Sequence, residues 1–288
     1  MKNKDSSYYV PEQSVWPIIG ALALLFLAFG SLNIEKQWGL ITFIIGVVGL
    51  VFMLVGWLWN VTQESDAGLY NQQMDKTFRW GMFWFLISEL FLFGLLIGSI
   101  IHVRFSITPW LAGQSGDASQ LTHYLLWPDF AKHWPLLKPP SAAVATSTPN
   151  LASMRQIPLI NLIILLSSAL LLTDSLYHLK KMRYKLCRVT LNVAIFLACI
   201  FLISQTYYFI HLIHANIIEK SGVYGSFLIA FLGLHLLNVV AALLFLCIIC
   251  FRIYRSNLLE KNVFSFEAAV WWWDFLAGIW ALKFFLIF

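Results

Sequence analysis

"GMFWFLISELFLFGLLIGSIIHV", residues 81–103, decides the fold class. The run is apolar enough to cross a bilayer, whose hydrocarbon core of about 30 Å takes roughly 20 residues of helix. Near its middle stands Glu89. A carboxyl there needs a reason, because an ionised side chain at mid-depth costs about 2.5–3.5 kcal/mol on insertion scales.

Working outward from this run, six more stretches of the same kind appear at 16–33, 38–59, 157–179, 189–213, 223–252 and 264–287. Each exceeds a typical buried core helix, and none alternates as a membrane β-strand does. The reading is an all-α, polytopic membrane protein with seven transmembrane helices. Composition agrees: of 288 residues, 60% are hydrophobic and 11% charged, against about 25% charged in soluble domains. The start, "MKNKDSSYYVPEQSVWPIIG", has no small-residue cleavage site after the first apolar run, so that run is expected to stay as the first span.

The net charge of +5 is spread in a way that argues against nucleic acid as a partner. One side holds Lys2, Lys4, Lys76, Arg79, Lys180, Lys181, Arg183, Lys185, Arg188, Arg252, Arg255 and Lys261. The other holds Lys36, Arg104, Lys132, Lys138, Arg155 and Lys220, with Lys283 inside the seventh span. Twelve against six follows the positive-inside rule, so the N-terminus is expected in the cytoplasm and the C-terminus outside.

The polar segment "NVTQESDAGLYNQQMDKTFR" divides the chain into an N-terminal tail with a helix pair (1–62) and a five-helix bundle (63–288). The bundle includes a long external loop at about 104–156. Its Trp110, Trp127 and Trp134 are expected at headgroup depth on the outer surface. "PPSAAVATSTPN" reads as a flexible connector, and Pro17 and Pro158 as first-turn prolines of their helices.

At 1.5 Å per residue, Glu89 lies about 14 Å into its span, Asp274 about 15 Å and His235 about 18 Å. Three ionisable groups share one level. Glu89 would either be protonated and bonded to a neighbouring helix, or face water or a lipid headgroup. His235 and Asp274 are expected to form an intramembrane polar pair. Glu267, near the cytoplasmic interface, is expected to be solvated, and Asp174 to meet the basic loop after it. His211 and His214 read as interfacial, and Trp271, Trp272 and Trp273 as packing residues. Cys187, Cys199, Cys247 and Cys250 are not spaced in a loop as a disulfide framework, and Cys247 and Cys250, a C-x-x-C within an apolar span, are expected to be small core residues. No Walker motif, nucleophile elbow or H-E-x-x-H occurs, and the histidines are too few for haem or copper ligation. The chain is therefore expected to bind no metal and to carry no catalytic centre.

Four blocks in order resemble subunit III of the haem–copper cytochrome c oxidases, in its bacterial form. "YYVPEQSVWPIIG" is similar to that family's lead-in to its first helix. "GLYNQQMDKTFRWGMFWFLISELFLFG" is similar to its third helix, with the family's intramembrane glutamate at Glu89. "LLWPDFAKHWPLLKP" resembles its external loop, and "FSFEAAVWWWDFLAGIW" its last helix. "LINLIILLSS", Gln205, Tyr207, His211, "GVYGS" and His235 fill the intervals, so the likeness covers nearly the whole chain.

The resemblance implies helices 1–2 and 3–7 forming a V-shaped cleft that holds phospholipids, with Trp57, Glu64 and Glu89 as lipid-binding candidates. It implies a non-catalytic subunit that stabilises the catalytic subunit I and assists proton uptake, with Glu89 as the proton-uptake candidate. Haem and copper would lie in the partners, subunits I and II, and cytochrome c would donate electrons to the complex. The location would be the bacterial inner membrane, with the C-terminus in the periplasm. This is a divergent likeness. The family's paired histidines fall on Leu176 and Tyr177, its glutamate on Tyr208, a histidine on Asn238, a histidine on Asp274, an aspartate on Ala277 and an arginine on Gln63. Two other functional classes suit the same residues: a proton-coupled secondary transporter or channel using Glu89, Asp274 and His235, and an oxidase assembly or scaffold protein.

Overall fold

The computed structural model describes residues 13–70, 72–136, 151–217, 221–255 and 263–287. Every regular element among them is helical. In chain order they are α1 (Trp16–Leu32), α2 (Gln37–Asp66), α3 (Gln72–His102), a π-helical turn (Val103–Ile107), α4 (Thr108–Leu111), α5 (Asp117–Leu126), α6 (Leu151–Lys180), α7 (Tyr184–His214), α8 (Val223–Arg255) and α9 (Phe264–Ile287). Six of them, α2, α3 and α6–α9, are long and apolar enough to cross a membrane. The expected first span is shorter: α1 has 17 residues, or about 25 Å of rise, roughly a turn less than a 30 Å core requires. The connector at 139–150 and several of the counted basic residues, including Lys2, Lys4 and Lys261, lie outside the described residues.

The chain divides into two compact units, Met1–Gly81 and Met82–Phe288. In the first, α1 and α2 pack as an antiparallel hairpin closed by the tight turn before Gln37. Glycine makes this possible. A Cβ on Gly46 would stand 2.6 Å from the Leu27 nitrogen, and one on Gly56 would enter the Trp16 ring. The two backbones therefore approach as they do at small-residue interfaces in membranes.

The second unit is built around a core shared by α3 and α6–α9, including Phe93, Leu165, Leu191, Phe201, Phe231, Trp273 and Trp280. Helices α6 and α7 join through a short turn in which Met182 takes φ 58°. There the Arg183 N–H donates to the His178 carbonyl and the Met182 N–H to Leu179, closing the end of α6. Because α6 begins at Leu151, Pro158 lies inside the helix and not in its first turn. The segment between α3 and α6 is tied down more firmly, over its described residues, than its sequence suggests. Phe130 and Leu136 are buried, and both Arg104 and Trp134 donate to the Leu286 carbonyl, at 3.1 and 3.2 Å. Both donors satisfy one carbonyl that the end of α9 would otherwise leave open.

Candidate functional site

In the N-terminal unit, α1, α2 and the start of α3 enclose a groove of about 1200 Å³. Its walls are mostly apolar, from Trp16, Leu24, Met53, Trp57, Met74 and Phe78. Polar side chains gather at one end: Gln13, Ser14, Asn60, Glu64 and Tyr70. The lining follows from helix geometry, because Trp57, Asn60, Val61 and Glu64 recur at spacings of three and four along α2. Glu64 Oε2 accepts a hydrogen bond from the Tyr70 hydroxyl at 2.8 Å, which fixes the carboxylate at the polar end. Glu64 is the one charged side chain among the described lining residues. An apolar trough with a polar end that carries Glu64 has the chemistry to take an amphiphile. Trp57 and Glu64, singled out together in the sequence, share this groove. Tyr70, which holds Glu64, was not foreseen, since a tyrosine in a polar linker carries no periodic signal.

Glu89 belongs to the other unit, on the half of α3 that follows Met82. It is half-buried, and the Asn238 side chain of α8 faces its carboxyl. Its Oε2 is enclosed with no hydrogen-bond partner among the described residues. An enclosed oxygen of this kind is a place for a proton or a water molecule.

His235 and Asp274 take different partners. The His235 ring is fully buried between Phe93, Phe201 and Trp280, with Nε2 at 3.1 Å from the Leu276 carbonyl. This contact makes Nε2 the protonated nitrogen, because a carbonyl can only accept. Asp274 is exposed on the opposite side of α9, and its Oδ2 accepts from Thr173 of α6 at 3.4 Å. His235 and Asp274 therefore form no pair: His235 ties α8 to α9, and Asp274 ties α9 to α6.

Three lesser expectations change. Glu267 is buried and pairs with Lys180 at 2.6 Å, joining α9 to α6 in place of being solvated. Asp174 reaches His178 one turn along α6, at 3.3 Å, and not the basic loop. Of the cysteines, Cys187 is buried, whereas Cys247 is exposed on α8. The three tryptophans diverge by about 100° each: Trp273 is buried, Trp272 meets Phe85 edge-on at 5.0 Å, and Trp271 turns outward.

A buried polar chain links α6 to α7: Asn161 donates to Gln205 at 3.0 Å and accepts from Ser204 at 2.7 Å. Among the positions read from the sequence as departures from the resemblance, Tyr208, Leu176 and Ala277 are buried in this core, while Tyr177 is exposed. Among the described residues no three histidine, cysteine or acidic side chains converge as metal ligands.

The profile of the family described as Cytochrome c oxidase subunit III matches residues 6–116 and 144–288. A protein of Rickettsia bellii named "Probable cytochrome c oxidase subunit 3" is 27% identical over 286 residues, covering 98% of this chain and 94% of its own. "Cytochrome c oxidase subunit 3" of Osphranter robustus is 26% identical over 283 residues, covering 97% and 95%. The human protein of the same name is 26% identical over 282 residues, with the same coverage.

Proposed function

Because the chain belongs to the cytochrome c oxidase subunit III family, we propose that it is the non-catalytic, lipid-holding subunit of a respiratory oxidase. The family fixes the coarser statements: this is an integral membrane protein and a component of an oxidoreductase complex with other oxidase subunits. The finer reading has α1 as a seventh span, a two-plus-five grouping around a lipid cleft, and the N-terminus in the cytoplasm of a bacterial inner membrane. Its immediate partners are the haem- and copper-bearing subunit I and subunit II, and cytochrome c supplies the electrons.

The observation that carries the lipid role is the groove of about 1200 Å³ with Glu64 fixed at its polar end by Tyr70. Its apolar length accepts acyl chains, and its polar end accepts a headgroup. A chain that leaves the bilayer for the groove gains no hydrophobic energy, so a held lipid depends on close packing against the walls and on bonds to the polar end. The proton-uptake role falls to Glu89, whose enclosed oxygen is open to a proton. The transporter reading needs a relay through Glu89, His235 and Asp274. With His235 on the Leu276 carbonyl and Asp274 on Thr173, the geometry gives that relay no support.

The test is lipid analysis of the purified complex carrying Trp57→Ala or Glu64→Gln. Each variant is expected to lose at least one tightly held phospholipid per complex and to inactivate faster during sustained turnover. Unchanged lipid content together with unchanged turnover lifetime would remove the lipid role.

A further inference from the structure

The outward faces of α6 and α9 carry a polar feature that the proposed function does not use. Along α9 the exposed residues are Trp271, Asp274, Gly278, Leu282 and Phe285, at spacings of three and four, so they form one stripe. Along α6 the corresponding stripe is Leu166, Leu170, Thr173 and Tyr177. The bond from Thr173 to Asp274 sets the two stripes side by side. Asp274 therefore points away from its own bundle, about 15 Å into the helix. It has one long bond, at 3.4 Å, for a carboxylate that can accept about four.

Three sources that could satisfy this carboxyl fail on chemistry. The span interiors of the N-terminal unit, 18–29 and 44–54, contain no polar side chain. On an outward stripe, outside any cleft, a phospholipid headgroup stays at the membrane interface, about half a bilayer away. Hydrocarbon offers no donor at all. A second polypeptide can supply one. Gly278, one turn beyond Asp274 on the same stripe, has open space where a Cβ would stand. A neighbouring helix can therefore come close there, as at other small-residue contacts in membranes.

We propose that the α6–α9 face is the docking surface for a transmembrane helix of another oxidase subunit, and that this helix presents a basic or N–H-bearing side chain to Asp274 near mid-membrane. The inference rests on the oxidase-subunit reading above and adds to it the face used and the chemistry of the partner. It also accounts for a carboxyl kept where an apolar residue would insert more easily.

The test uses the tagged chain in its native oxidase, solubilised in mild detergent, with haem retained per chain as the readout. Compared are the unaltered chain, Asp274→Asn, Asp274→Leu and the control Leu244→Ala on the exposed side of α8. Asp274→Leu is expected to lower retained haem at least tenfold and Asp274→Asn by less, because the amide oxygen still accepts. The control should match the unaltered chain. A lipid-facing surface predicts the reverse sign, since leucine is favoured in hydrocarbon, and retention kept or raised by Asp274→Leu would overturn the proposal. Should that variant fail to accumulate, a photo-crosslinking residue at Leu170 or Leu282 leaves Asp274 intact. Adducts with another oxidase subunit are expected at both, and their absence at both overturns the proposal. An unaltered chain that retains no haem would instead sink the oxidase reading itself, so the two failures are told apart.

Discussion

Glu89 is held by one neighbour and left open on one oxygen, and that asymmetry sets what its substitution should do. Glutamine has nearly the same shape and can still meet Asn238, but it cannot take up and release a proton. Glu89→Gln is therefore expected to leave chain levels in the membrane unchanged, with a stability change under about 1 kcal/mol, in line with polar contacts between membrane helices. Proton uptake and sustained turnover by the complex should fall. Oxygen-consumption and proton-uptake rates indistinguishable from the parent would confine Glu89 to packing. At this scale the sequence was most informative where a residue was out of place. An acid inside an apolar run is conspicuous, and Glu89, His235 and Asp274 all stood out. Their partners did not, because a hydrogen bond to the Leu276 carbonyl or to Thr173 depends on how helices rotate against one another. Hydropathy carries no information on that rotation.

At the scale of elements, the helix boundaries show what pattern can and cannot reveal. The spans of α2, α3 and α7–α9 were legible because their apolar runs are long and end in charged or glycine-containing turns. The start of α6 was not, since Pro158 looks like a first-turn residue and the preceding turn is polar. Glu267 was misread for a related reason: position near an interface suggests water, but the α6 end brings an exposed Lys180 within 2.6 Å of a carboxyl that is itself buried. The α1–α2 hairpin makes a sharper claim. Gly46 faces the Leu27 backbone at a distance that no Cβ can occupy, so Gly46→Leu must push the helices apart. Overpacking of this kind costs about 1–3 kcal/mol. The expected result is a lower unfolding temperature in detergent, together with loss of lipid from the groove that the two helices line. A variant with both properties unchanged would show that the close approach is dispensable.

On the scale of the whole molecule, the chain makes sense as a part and not as a machine. Its sequence follows the cytochrome c oxidase subunit III family over residues 6–116 and 144–288, and the lipid role proposed for its groove is one that serves a larger complex. The family was legible because motif order survived where individual polar residues did not. By the resemblance read from the sequence, Trp57, Glu64, Glu89 and the aromatic last helix match the family's pattern, while Asn238 and Asp274 fall where that pattern has histidines.

The most direct measurement is a reduced-minus-oxidised visible spectrum of the gently purified chain, taken before and after it is stripped of partners and placed in liposomes. Haem bands that travel with the chain in fixed proportion, vanish on stripping, and leave a polypeptide that moves no solute are the predicted result. A haem-free chain that transports protons or solute unaided would contradict the account.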